Sequence, residues 1–199
     1  MKKIIIIGAG GHSEACINII DRDKSFEITA ILDNKKTGSI LNYQILGNDN
    51  LIDQLRDEIE NAFIGVGQIK EYFNRKNIYD RLKEKLFILP NIISLNSIVS
   101  KFTNIQDGNI IMDNAVIGPK VYIGNANIIN TGSVIEHGVK IDNFCHISTN
   151  VVINGEAKIG EGTFIGSGSI IANGVKIGKN CFIKMGSKIT SDLLDETKI

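Results

Sequence analysis

Residues Ile111–Phe164 read, in sixes, IMDNAV IGPKVY IGNANI INTGSV IEHGVK IDNFCH ISTNVV INGEAK IGEGTF. Isoleucine opens every one of these hexads. The phase holds back through Ile105, Val99 and Ile93 and forward through Ile165, Ile171, Ile177 and Ile183 to Ile189. Neither the helical period of about 3.6 residues nor the strand period of about 2 explains a strict six. A parallel β-helix of hexapeptide repeats does, because each short flat face spends one residue on the core. Four places after each rung stands a small or slim residue, among them Ala115, Ser133, Cys145, Ala157, Thr163 and Cys181. Both cysteines therefore belong to the packing rather than to nucleophilic chemistry.

Upstream of the repeat the pattern changes. Residues 3–7 are one lysine and then four isoleucines, the apolar run of a strand covered on both faces. Gly8-Ala9-Gly10-Gly11-His12-Ser13 follows and opens a helix. Glycines at such a turn let a ligand approach the backbone, and the helix start offers unpaired N–H groups to phosphate. The dinucleotide fingerprint wants glycine where Ser13 stands, which argues against NAD. A second strand over 26–32 ends in Asp33-Asn34, an acidic position able to bind a ribose or base edge or simply to hold a loop. The remaining expectations are a strand at 43–46, a helix over 51–59 capped by Asp49 or Asn50, and a strand at 62–66 leading into Gly65-Val66-Gly67. A helix over 69–86 and a strand at 87–89 then precede Pro90. Alternating strands and helices imply a small Rossmann-like parallel sheet flanked by helices. The expected domains are 1–90 (α/β, nucleotide-sugar binding), 91–194 (β-helix) and a tail, 195–199, that leaves the prism where the hexad phase fails at Asp195.

The 199 residues carry a formal net charge of zero, which leaves no electrostatic footprint for nucleic acid or an anionic membrane. The N-terminal apolar run is too short for a signal peptide, and no stretch is long enough to span a bilayer. Cysteines without paired spacing fit a reducing cytoplasm. Three hexads close one coil, so residues 18 apart stack. That arithmetic puts Gly155 over His137, an outward base beside a backbone donor. His146 falls in an outward apolar column between Ile128 and Phe164. Either histidine could be a plain surface residue, and a zinc site would lack a third ligand in this half. Apolar residues one step before many rungs, including Val116, Tyr122, Val134, Val152 and Ile170, with Phe144 beside them, form a strip that predicts side-by-side association. A closed cyclic trimer is the natural packing.

The glycine-rich start, the α/β half and the unbroken hexads resemble the sugar acetyltransferases of the bacterial sialic-acid and bacillosamine pathways. The segments Asn130–His137 and Phe144–Ser148 are similar to the catalytic region of the N-acetyltransferases of UDP-4-amino-4,6-dideoxy sugars. The resemblance implies a left-handed β-helix, a homotrimer with sites between subunits, acetyl-CoA as co-substrate and no metal. It implies His137 as general base; Gly138 stands where the family carries an acid, so the orienting carboxylate is either missing or supplied by Glu136 or Asp142. Asn130 would lie in the sugar pocket, and Gly10, Gly11, His12, Asp33, Asn34, Gly65 and Gly67 around the nucleotide. His146, Gly155 and Gly174 would meet acetyl-CoA. O-acetylation of a sialic or related nonulosonic acid and a non-catalytic trimeric scaffold are the alternatives.

Overall fold

The computed structural model describes residues 1–199 and divides into two compact units. One comprises Met1–Gly67 with Phe73–Ile92, and the other Gln68–Tyr72 with Ile93–Ile199.

In the first unit β1 (Lys2–Ile7) lies between β2 (Phe26–Leu32) and β5 (Asn61–Ile64), all parallel, with β4 (Tyr43–Gly47) beyond β2. The edge strand β3 (Ser39–Ile40) runs antiparallel to β4, so the sheet is mixed rather than purely parallel. Ile4, Ile5, Ile6 and Ile7 are buried, as an apolar run in the middle of a covered sheet must be. α1 spans Gly11–Asp23, and Lys24 ends it in the left-handed conformation. The expected helix at 51–59 is shorter: a 3-10 turn at Asp49–Leu51 runs into α2 (Ile52–Arg56). Its cap is Asn48, whose side chain accepts the Asn50 N–H at 3.0 Å, and not Asp49 or Asn50. The 87–89 strand reduces to a single bridge between Ile88 and Asn61.

The helix expected over 69–86 is confined to α3 (Phe73–Glu84). Ile69, Phe73 and Leu86 are exposed, and the side chains that α3 buries are Leu82 and Arg75. The five residues before α3 are held elsewhere. Gln68–Tyr72 lies on the second unit, where Gln68 Nε2 donates to Phe144 O at 2.7 Å and the Tyr72 and Phe144 rings stack at 5.7 Å.

That second unit is a left-handed β-helix of two-residue strands from Ile92–Ile93 to Lys188–Ile189, arranged in three parallel sheets. Partners lie 18 apart, as Ile135 with Ile153 and Ile153 with Ile171, so the isoleucine rungs stack as columns that are buried from Ile111 to Ile189. Each buried isoleucine contributes roughly 1.5–3 kcal/mol of hydrophobic stabilisation. From Gly108 to Gly186 one residue per hexad turns the corner in left-handed backbone, for example Asn114, Gly132, Gly138, Asn150, Glu156 and Gly174.

Outward side chains give the three faces different characters. One carries Ile98, Val116, Val134, Val152 and Ile170; the second Tyr122, Lys140, Lys158 and Lys176; the third Ile110, Ile128, His146, Phe164 and Phe182. The single apolar strip expected from sequence is therefore two separate faces and a lysine-bearing one. Phe144 belongs to none of them, being a buried corner residue under Tyr72. The tail also stays on the prism. Leu193 pairs with Ile177 and Lys198 with Phe182, each 16 residues apart, because the last coil is two residues short of 18. Asp192 and Asp195 carboxylates accept the Lys176 and Lys179 N–H groups across the same shortened step.

Candidate active site

His137 sits in the corner between the valine-bearing face and the lysine-bearing face, exposed to solvent. The coil above presents Gly155 under its ring: a Cβ on that glycine would lie 2.6 Å from both His137 Cε1 and Nε2. No side chain other than hydrogen permits this approach. The carbonyl of Gly155 accepts the Gly174 N–H at 2.9 Å, while its own N–H makes no bond within the chain. One feature departs from the spacing argument. Gly155 is buried rather than open, because the His137 ring and the Asn173 amide together cover it. Asn173 Nδ2 comes within 3.2 Å of the same point as the imidazole nitrogen.

Asn130 and His146 occupy a different corner region of the same prism. His146 Nδ1 is bonded to Gln68 O, which can only accept, so Nδ1 carries the proton. Nε2 is then an acceptor and receives the Asn130 amide at 3.3 Å. The amide orientation agrees, since Asn130 Oδ1 accepts the Thr131 N–H at 2.8 Å. His146 is 8% exposed and packs edge-on against Phe164, with centroids 5.2 Å apart. It is thus a neutral, anchored ring. One edge of it lines an apolar cavity of about 610 Å³ shared with Ile69, Ser148, Phe164, Phe182 and Met185. Asp142 lies at the far end of the lysine-bearing face from His137 within one chain, which removes it as an intramolecular orienting acid; Glu136 stays at the same corner, exposed.

In the α/β unit the structure brings most of the expected ligand-binding residues to the carboxyl ends of β1, β2 and β5. Gly8 has φ +109° and donates to Leu32 O at 2.7 Å, drawing the turn across the end of β2. Gly10 caps α1 with backbone alone, and a Cβ on Gly10 or Gly11 would meet nothing within 4 Å, so the start of α1 is open. A Cβ on Gly67 would lie 3.2 Å from His12 Cβ, and one on Gly65 2.7 Å from the buried Ser13 hydroxyl. The serine that breaks the dinucleotide fingerprint is thus a packing residue beneath the Gly65 loop. Asp33 is more committed than its position suggested: Oδ2 accepts the Ala9 N–H at 2.7 Å, and Oδ1 accepts those of Lys35 and Lys36 at 2.8 Å. Desolvation pushes its pKa up, but these bonds and the Lys36 charge outweigh it and hold the carboxyl below its usual range. Asn34 is likewise tied, donating to Asp49 Oδ2 at 2.7 Å.

Both hexad cysteines are buried, with thiols donating to Gly160 O and Leu194 O at 3.2 Å. Burial pushes their pKa values up, which argues against thiolate chemistry at either. No group of three or more His, Cys, Asp or Glu is placed to hold a metal ion.

The family described as PglD N-terminal domain matches residues 3–82, and that described as bacterial transferase hexapeptide (six repeats) matches 156–191. A mutant of perosamine N-acetyltransferase from Caulobacter crescentus, solved with CoA and GDP-perosamine, is similar at TM-score 0.95 and 27% identity, over 100% of this chain and 93% of that one. The acetyltransferase domain of PglB from Neisseria gonorrhoeae, in complex with acetyl coenzyme A, is similar at 0.94 and 26%, over 99% and 95%. WeeI from Acinetobacter baumannii shares the fold at 0.69 and 16%, over 100% and 96%. No curated protein sequence matches. The chain is thus similar over both halves to acetyltransferases that carry hexapeptide repeats.

Three residues of these sites escaped the sequence reading. Asn173 was reachable by the same column arithmetic, two coils above His137, but asparagine is common in these corners and gave no signal. Gln68 looked like the residue before a helix, yet it anchors His146. Arg75 was hidden inside an apolar helical stripe. It is 1% exposed, and its guanidinium donates to Ile64 O at 3.1 Å and Val66 O at 2.5 Å, bracing the Gly65 loop. Burial lowers its pKa to about 10.

Proposed function

We propose that this enzyme transfers the acetyl group of acetyl-CoA to the 4-amino group of a nucleotide-linked 4-amino-4,6-dideoxy sugar, with UDP as the nucleotide. The observation that carries the reading is the His137 ring, exposed, free of hydrogen bonds within the chain and packed on Gly155, whose N–H makes no bond within the chain. The sugar amine attacks the thioester carbonyl, and the new C–N bond forms as His137 Nε2 takes the amine proton. The Gly155 N–H, uncovered when the ring lifts, stabilises the tetrahedral oxyanion, with the Asn173 amide beside it. Collapse breaks the C–S bond, and the departing CoA thiolate receives the proton from His137. No covalent acyl-enzyme takes part, consistent with the buried cysteines.

The diphosphate of the nucleotide sugar binds at the open start of α1, at Gly10, Gly11 and His12, on a scaffold held by Asp33, Gly65 and Gly67. The active form is a homotrimer. Ile98 and Ile170 on the valine-bearing face are 68% and 40% exposed, which supports a copy-to-copy contact there. In a trimer the His137 corner of one subunit meets the Asn130 and His146 corner of another, joining two half-sites that one chain keeps apart. The aromatic cavity beside His146 then receives the thioester arm, with Gly155 and Gly174 along the opposite wall. The absence of paired cysteines supports a cytoplasmic setting.

The test is mass spectrometry of products from acetyl-CoA and a panel of UDP-, GDP- and CMP-linked amino sugars, with alkali treatment to separate amide from ester. An alkali-stable acetyl on a nucleotide-linked 4-amino sugar is expected. An ester product, or no transfer across the panel, would overturn the reading.

A further inference from the structure

Gly138, one place after the base, leaves a gap in the corner that a residue of the next coil enters. Gly138 has φ +69°, and a Cβ there would lie 3.3 Å from Glu156 Cγ. The glutamate side chain thus comes down over the place where residue 138 has none. The backbone holds this register: Glu156 N–H donates to His137 O at 2.9 Å, and Gly138 N–H donates to Pro119 O at 3.0 Å. Glu156 itself turns its corner at φ +61°, a conformation that glycine or asparagine adopts at lower cost. In the neighbouring column the His137 ring rises the other way, its Cε1–Nε2 edge lying on Gly155. A working base has to lift off that glycine, and a lifted ring needs a new anchor on Nδ1.

We propose that Glu156 is the positioning residue of His137. Its carboxylate accepts the Nδ1–H once the ring leaves Gly155, which keeps Nε2 deprotonated toward the amine and stabilises the imidazolium that forms. The same movement uncovers the Gly155 N–H. This inference rests on His137 being the base. The other charged side chains of the corner are Glu136 beside His137, Lys120 one coil below Gly138, and Lys140 and Lys158 at the edge of the lysine-bearing face. None of them shares the place that Glu156 takes over Gly138.

The experiment compares full-length wild type, Glu156→Gln, Glu156→Ala, Glu136→Gln, His137→Ala and the double variant Glu156→Ala/Gly138→Asp. Glu156→Ala and Glu156→Gln are expected to lower kcat at least about tenfold, with KM for both substrates little changed. The double variant, which returns a carboxylate from the coil below, should recover most of the rate. Wild-type kcat in Glu156→Ala overturns the proposal, as does a larger loss in Glu136→Gln or a loss the double variant fails to restore. Wild-type turnover in His137→Ala overturns instead the assignment of the base on which the proposal stands.

Discussion

His137 and His146 lie nine residues apart on the same ladder and share almost nothing else. His146 is buried, with one nitrogen on Gln68 O and the other receiving the Asn130 amide. His137 is exposed and bonds to no group of the chain through its ring. A histidine whose nitrogens are both engaged holds structure in place, whereas one whose nitrogens are open can move a proton. The contrast shows that on a repeat scaffold the residue type says little. The unfilled hydrogen-bonding capacity at each position says more.

The most direct way to break this contrast is to delete each ring. His137→Ala should lower kcat by about 10²–10⁴-fold at nearly unchanged melting temperature, since a general base is lost and no internal bond is. Steady-state kinetics with a thermal melt would check both halves, and equal losses of rate in the two histidine variants would remove the distinction. Gly155→Ala should follow with a loss of about tenfold or more, since the added Cβ would stand 2.6 Å from the ring and displace it. Its stability should hardly change, because the clash is with the end of a movable side chain, and a denaturation midpoint would show it.

His146→Ala should behave in the opposite sense. Removing the ring strands the Asn130 amide and the Gln68 carbonyl, at a cost of about 2–3 kcal/mol in chemical denaturation. The smallest effect extends the comparison to carboxylates. Asp33 is engaged on both oxygens and its pKa is depressed, so it contributes stability above the ordinary aspartate pKa. That contribution is lost as pH falls through the lower folded value. Asp33→Asn should flatten this acid limb of a stability–pH curve.

Much of the fold was legible because periodicity is a local property. The isoleucine ladder, the strand at 26–32 and the glycine turn after β1 appear where the pattern puts them. Column arithmetic also put His137 against Gly155. The misreadings came where a segment's partner is remote in sequence. Residues 69–72 have helical spacing, but Tyr72 is captured by Phe144 and Glu161. The tail lost its phase at Asp195 yet stays paired through a coil two residues short, which a strict count of six does not see.

What the sequence determined by itself was the architecture: a six-residue period can bury one isoleucine per hexad only in a three-faced parallel coil, and that coil sets every column. What only the tertiary structure decided was which polar groups remain open. Gln68, brought across from the end of the α/β half, engages His146; loop N–H groups engage both oxygens of Asp33; and the bare backbone of Gly138 leaves a place that Glu156 enters. The reason is physical. Burial of apolar surface depends on pattern and so is written along the chain. A directional bond depends on where its partner's atoms lie, and the partners of His146, Asp33 and Gly138 include residues 78, 24 and 18 places away.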